Sequence, residues 1–260
     1  MTLKITMKMA SGWATAALAL ALLQGCASGP HASRDDPLEP FNRSVFRFNE
    51  GLDRAVLKPV ATAYRDVTPA PVRTAVTSFF ENISDVWSMV NNVLQAKPEE
   101  AADSFFRVTV NTFWGLGGIF DVASQLKIPK HKEDFGQTLG IWGIATGPYL
   151  VLPVLGSSTV RDSVGLLVDA KGNLVLRADN VPARNSLTGL RLVDTRANLL
   201  NAGNVLDQAA LDKYTFTRDI YLQRRHSLIG DQSSQAEERY DLPEVVPAAG
   251  TPAAPASDAK

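Results

Sequence analysis

The sequence predicts an all-α fold, and three observations carry that reading. Apolar residues recur at steps of three and four over long stretches, the spacing that lines one face of a helix. Proline and glycine fall at the ends of those stretches, where helices start and stop. Alternating apolar and polar runs, the pattern of half-buried strands, are absent, which argues against a lipocalin-like barrel.

The first segment reads as a targeting signal. Lys4 and Lys8 form a short positive region, Ala10 to Leu23 an apolar one, and Gly25, Ala27 and Ser28 are small. The apolar run falls short of the roughly 18 residues that a spanning helix needs. The junction Leu23-Gln24-Gly25-Cys26 resembles a bacterial lipobox, in which a lipidated cysteine follows a short leucine-led motif, with Gln24 departing from the usual small residue. Cys26 is the only cysteine, so no intramolecular disulfide can form, although export leads to an oxidising compartment. Lipidation supplies several apolar chains, and stable anchoring takes more than one. Residues 1–25 are therefore expected to be a leader and residues 26–35 a lipid-attached tether. Ordinary cleavage near Ala19 or Ala21 is the alternative. Loss of Lys4 and Lys8 with the leader takes the formal charge from -1 to -3.

The helical stretches follow in order. Phe41, Val45, Phe48, Leu52 and Val56 form the first stripe, and Lys58-Pro59 is expected to end it. Pro69 and Pro71 mark a loop, after which Val72, Val76, Phe79, Phe80, Ile83, Trp87, Val90 and Leu94 give the longest apolar face. Lys97-Pro98-Glu99-Glu100 reads as a break and restart, with proline and acids in the first turn of a helix. Ala102, Phe105, Phe106, Thr109 and Phe113 supply its face, and Gly115, Gly117 and Gly118 end it. From Asp121 to Arg161 glycines and prolines interrupt every pattern, so loops and short helices are expected. The run GPYLVLPVLGSSTVRD, Gly147 to Asp162, is too short and too broken by proline to cross a bilayer. Helical faces return from Leu190 to Leu200 and from Val205 to about Gln223. Residues 230–260 turn polar and then rich in alanine and proline, a composition expected to stay disordered.

Composition and motifs exclude more than they name. A 45% apolar content is ample for a core, and a net charge of -1 offers no basic excess for nucleic acid. His31, His131 and His226 show no metal-ligand spacing, and no cofactor is implied. Gly156-Ser157-Ser158-Thr159 is not a nucleophile elbow and reads as a turn into a helix capped by one of its hydroxyls. Gly115-Leu116-Gly117-Gly118 lacks the lysine and strand of a phosphate loop and reads as a flexible turn. No enzyme chemistry is legible.

Three stretches nevertheless carry a family resemblance. Asp36 to Arg73, DPLEPFNRSVFRFNEGLDRAVLKPVATAYRDVTPAPVR, resembles the opening signature of the MlaA (VacJ) family, with Asp36, Pro37, Asn42 and Arg43 at its start. Glu133 to Asp162, containing Gly147 and Pro148, resembles the second signature. Asp194-Thr195-Arg196 with Tyr214, Arg218, Tyr221, Gln223 and Arg224 resembles the third. Val86 and Ser157 stand where proline is common in the family, so the long helix is expected to run without a kink.

The resemblance implies an outer-membrane lipoprotein, mainly helical and ring-shaped, over residues 36–229. Such a protein lies in the inner leaflet, associates with a trimeric porin, and takes mislocalised phospholipid from the outer leaflet through an amphipathic channel. A periplasmic shuttle then receives the lipid, with no bond made or broken. Tyr149, Arg196, Arg218 and Arg224 are candidates to meet a headgroup, because a guanidinium offers several donors to phosphate. A structural ion pair with Asp194, Asp212 or Asp219 is the competing role for the arginines. Trp114, Trp142 and Tyr149 are candidates for headgroup depth, and Gly115, Gly117 and Gly118 for a gating loop. A porin scaffold that transfers no lipid is the alternative reading, with a lipid hydrolase third.

Overall fold

A computed structural model describes residues 36–230. The expected leader, Cys26, the tether and the tail beyond Gly230 lie outside the described residues. Helix α1 (Glu39–Leu52) runs through a π-helical turn (Asp53–Leu57) into α2 (Lys58–Val67). Next come α3 (Ala70–Leu94), α4 (Pro98–Phe113) and the short α5 (Val122–Gln125) and α6 (Phe135–Ile141). An antiparallel hairpin, β1 (Tyr149–Leu152) and β2 (Gly156–Thr159), leads directly into α7 (Val160–Gly172). Helices α8 (Val181–Asn198), α9 (Leu200–Ala209) and α10 (Lys213–Gly230) complete the described chain. The fold is mostly helical, and none of the described helices is long and apolar enough to cross a membrane.

Several boundaries follow from local chemistry, and some expectations need correcting. Helix α3 is unbroken over 25 residues, and Pro98 opens α4. Thr159 caps α7 by accepting from the Asp162 amide at 3.1 Å. Lys58-Pro59, by contrast, does not end the first helix. The Lys58 amide bonds to the Asp53 carbonyl across the wide π turn, and Pro59, which has no N–H to give, sits just inside the next segment. Helix α8 starts at Val181, well before Leu190, because the Asn180 side chain accepts from the Ala183 amide and Pro182 fits the first turn. The stretch from Val205 to Gln223 is two helices, since Asp212 turns back to accept from the Tyr214 amide at 3.0 Å.

The hairpin corrects the all-α expectation. In β1 the sequence Tyr149-Leu150-Val151-Leu152 is apolar on both faces, while β2 is Gly-Ser-Ser-Thr, so neither strand shows the alternation that betrays a half-buried strand. Register runs from Tyr149 opposite Thr159 to Leu152 opposite Gly156.

The apolar stripes point outward. Among the described residues, 18 polar or charged side chains are buried against 11 apolar ones, while 34 large apolar side chains are exposed. Helix α4 shows the inversion: Ser104, Arg107 and Asn111 are buried, whereas Phe105, Phe106 and Phe113 are exposed. Facing it, α3 buries Asn82, Asp85, Ser88, Asn91 and Asn92, and Gln95 just after its end is buried as well. Arg107 ties the pair together, reaching Asp85 at 3.3 Å, Asp121 at 3.0 Å and the Ile128 carbonyl at 2.7 Å. Asn92 reaches Ser104 at 3.3 Å and Asn82 reaches Thr112 at 3.2 Å, so the two helices meet through side-chain hydrogen bonds. The pairing is incomplete, since the side-chain oxygens of Asn82, Asn92 and Gln95 are buried without a hydrogen-bond partner, and each such group is costly to the fold.

Helix α1 closes the hairpin's open edge with two asparagines two turns apart. Asn42 Nδ2 donates to the Tyr149 carbonyl at 3.0 Å, and its Oδ1 accepts the Val151 amide at 2.9 Å. Asn49 repeats the pattern three residues on, with Leu152 O at 2.9 Å and Val154 N at 2.8 Å. Each side-chain amide thus takes the place of a peptide in a neighbouring strand and removes the unpaired edge. Asn42→Ala takes a bond from each of three buried partners and is expected to cost about 3 kcal/mol, against about 1 kcal/mol for the less buried Asn49→Ala. Denaturant unfolding in detergent checks the difference. Exchange of the Val151 amide should accelerate in the first variant alone.

Candidate functional site

The three resembling stretches meet in space. Asp36 is fully buried and accepts from Asn42 Nδ2 at 2.8 Å, from the Tyr214 hydroxyl, and from Arg218 Nη1 at 3.5 Å. Pro37, half-buried, stands in the turn where the Glu39 amide bonds to the Asp36 carbonyl before α1 begins. Arg43 points the other way along α1, bonding Glu39 at 2.7 Å and Asp212 at 2.7 Å, with its guanidinium 4.4 Å from the centre of the Tyr214 ring. Hydrogen bonding to Arg43 holds the Asp212 carboxyl below the ordinary carboxylate range. Burial first, and the bond to Asp36 second, push the Tyr214 phenol upward.

Tyr149 lies between two tyrosines of α10. Its ring meets Tyr214 and Tyr221 edge to face, at 6.2 and 6.1 Å between centres, and its hydroxyl shares a 2.8 Å bond with Ser157. At 0% exposure the Tyr149 side chain, a candidate to meet a headgroup, is packed wholly against protein in this structure. Gly147 has φ +69, and a Cβ there would press within 3.1 Å of Val160, which explains the glycine before Pro148. The Pro148 carbonyl then accepts the Val160 amide at 3.1 Å, fastening this turn to the start of α7.

A second charged cluster lies one helical repeat along. Arg161 and Asp162 are both buried and paired at 2.9 Å. Asp162 also meets the Tyr221 hydroxyl at 2.8 Å and Arg225 Nε at 3.1 Å, and Arg225 Nη1 reaches Asp134 at 2.6 Å. Asp134 in turn caps α6 through the Gln137 amide at 2.9 Å. Burial opposes ionisation of Asp162, but Arg225, Tyr221 and Arg161 outweigh it and hold its carboxyl below the usual range. The face of α10 that does this carries Tyr214, Arg218, Tyr221 and Arg225 at steps of four, three and four.

The candidate arginines therefore differ in kind. Arg196 is bound to Asp53 at 2.6 and 2.8 Å, across to the π turn and not to its neighbour Asp194. Arg218 is shared between Asp219 at 2.9 Å and Asp36 at 3.5 Å. Arg224 is exposed, and the arginine engaged with the fold is its neighbour Arg225, which sequence reasoning passed over. The signal that singles out Arg225 is its seven-residue spacing from Arg218, the same as that of Tyr221 from Tyr214.

The glycine loop has packing reasons for its composition. A Cβ on Gly118, at φ +93, would collide with Asn82 at 2.6 Å, and one on Gly115 with the Phe120 carbonyl at 2.2 Å. Gly117, at φ +74, faces open space. The same segment exposes Trp114 at 69% and Leu116 at 66%, and Trp142 is 53% exposed. Among the described residues no group of three or more His, Cys, Asp or Glu is placed to hold a metal.

Burial pushes the Tyr221 phenol up to about 12 against the lowering pull of Arg225, with Asp162 adding to the rise, and burial followed by Asp194 raises Tyr64 to about 12. Because an unfolded tyrosine ionises near about 10, the stabilisation is complete below that pH and is lost as pH rises through about 12. Thermal melts at rising pH should show this alkaline fall, and Tyr221→Phe should shallow it.

Comparison with known proteins agrees with this geometry. Residues 34–228 match the family described as "MlaA lipoprotein". The chain is 38% identical over 221 residues to the protein named "Intermembrane phospholipid transport system lipoprotein MlaA" from Escherichia coli (strain K12), covering 83% of this chain and 87% of that one. The protein of the same name from Haemophilus influenzae is 33% identical over 239 residues, covering 88% and 94%. A solved structure from work on the "Structural basis for maintenance of bacterial outer membrane lipid asymmetry" superposes with a TM-score of 0.67 at 36% identity, over 75% of this chain and all of the other. The chain belongs to the MlaA lipoprotein family.

Proposed function

We propose that this protein is an outer-membrane lipoprotein that takes part in intermembrane phospholipid transport and so maintains lipid asymmetry. The observation that carries the reading is the inverted surface. Phe105, Phe106, Phe113, Trp114, Leu116 and Phe120 are all more than half exposed on one continuous stretch, while the helices behind them join through buried amides and charges. Water penalises such a surface, and acyl chains do not. The names of the relatives, which describe a phospholipid transport system and lipid asymmetry, support the same conclusion.

Within that reading, the protein lies in the inner leaflet, held by acyl chains on Cys26. Mislocalised phospholipid leaves the outer leaflet through an amphipathic path and passes to a periplasmic shuttle, with a trimeric porin as neighbour. A leaflet-embedded body suits a chain whose described helices do not span, since irregular backbone is tolerated at membrane depth only when its polar groups are paired. The Asn42 and Asn49 bonds to the hairpin supply that pairing. Trp114 and Trp142 suit headgroup depth, and the Gly115 to Gly118 loop is the candidate gate.

Cells lacking the protein should carry several-fold more phospholipid in the outer leaflet, as read by labelling with an impermeant amine reagent. Wild type should restore the low level, and Cys26→Ala should restore it poorly. No rise on deletion would favour a porin scaffold that moves no lipid.

A further inference from the structure

The buried and half-buried arginines of the described residues fall into two groups. Arg43, Arg65, Arg107, Arg161, Arg196, Arg218 and Arg225 each have a carboxylate within 4.0 Å, whereas Arg73, Arg184 and Arg191 do not, and the buried Nε of Arg73 has no hydrogen-bond partner. The one hydrogen bond of Arg191, on α8, runs from Nη2 to the Ser84 hydroxyl of α3 at 2.8 Å, with the guanidinium 6.0 Å from the centre of the Phe80 ring. A guanidinium carries five N–H donors, so most of Arg191's have no protein acceptor. Burial alone accounts for the lowering of its pKa, with no acid acting against it. The charge persists, because arginine stays protonated at any ordinary pH.

A half-buried cation without a counter-ion is unfavourable for the fold. The neighbouring side chains do not relieve it. Asp194, one turn on, is turned toward Thr77 at 2.8 Å and Tyr64 at 3.1 Å. Ser84 itself donates to the Phe80 carbonyl at 2.9 Å, leaving its oxygen to accept from Arg191. Arg184 lies two turns before Arg191 on the same face of α8, about 10 Å along the axis. It too is half-buried with no carboxylate partner. On either side of Arg191, Leu190 and Leu192 are 36% and 44% exposed.

Resting on the phospholipid-transport reading above, we propose that Arg191 anchors the headgroup phosphate of the transported lipid where α8 meets α3, with Leu190 and Leu192 flanking the acyl chains. This role falls to Arg191 instead of Arg196 and Arg218, whose donors are already committed to carboxylates. A phosphate oxygen accepts charge-assisted bonds from the free donors, and Arg184 supplies positive charge further along the same helix.

The test compares the purified full chain and its Arg191→Leu and Arg191→Lys variants in detergent micelles. The probes are fluorescent phosphatidylethanolamine and a fluorescent diacylglycerol with the same tails, each also measured against inorganic phosphate. Wild type should prefer the phospholipid, and Arg191→Leu should lower that preference about ten-fold. Its thermal midpoint should be equal or higher, since an uncompensated charge is gone, while Arg191→Lys retains part of the preference. Unchanged preference in Arg191→Leu, or a lowered midpoint with Arg191→Lys equally impaired, overturns the assignment. Displacement by inorganic phosphate alone at concentrations similar to the lipid would make this a free-anion site and also overturns it. Failure of wild type to bind either lipid would instead sink the transport reading, and this inference with it.

Discussion

Asn42 joins parts of the chain that lie more than a hundred residues apart, and much of the remaining structure depends on it. Its side chain bonds a carboxylate of the first resembling stretch and two backbone groups of the second, at sequence separations of 107 and 109 residues. The carboxylate it holds, Asp36, is the acceptor for Tyr214 and Arg218 of the last helix. Loss of this one amide would leave a buried carboxylate, a carbonyl and an N–H short of partners together, a far larger penalty than removing an equal volume of apolar contact. The first signature therefore serves the fold through Asp36 and Asn42. Arg43 serves it through Asp212 and the face of Tyr214.

The same logic extends over the molecule. Arg107 between α3 and α4, Asp162 between α7 and α10, and Asp194 between α2, α3 and α8 each satisfy several neighbours at once. Such networks are directional, so they fix helix register in a way that apolar contacts alone do not. They also free the apolar side chains from the interior. A protein whose outer surface meets hydrocarbon gains little by burying leucine, because lipid tails are as apolar as a core. It gains much by pairing its buried donors and acceptors.

This inversion explains what the sequence disclosed and what it hid. Periodicity located α3 and α4 well, because a helix with one apolar face has the same spacing whether that face turns in or out. Direction was not legible: Phe105, Phe106 and Phe113 look like a core stripe and are surface. Long-range partners such as Asn49 to the hairpin, or Arg196 to Asp53, leave no local trace, since each residue alone is an ordinary polar side chain. The hairpin was hidden because β1 is apolar on both faces and β2 is polar throughout. Proline 59 misled for a local reason, the π turn that accommodates it. The family resemblance, by contrast, rested on consecutive residues, and the matched span of residues 34–228 agrees with it. Arg191 had no motif at all and stands out only when its neighbours are known.

The inverted surface is the claim on which the functional account rests. Its most direct test is quenching of single-tryptophan variants, in proteoliposomes, by lipids carrying a quencher on the acyl chain. Trp114 and Trp142 should be quenched by the lipid probe, whereas Trp87, bound to Asp169 at 2.7 Å and packed against Gly172, should not. Quenching of Trp114 and Trp142 by aqueous iodide, with no effect of the lipid probe, would place these faces in water and contradict the account.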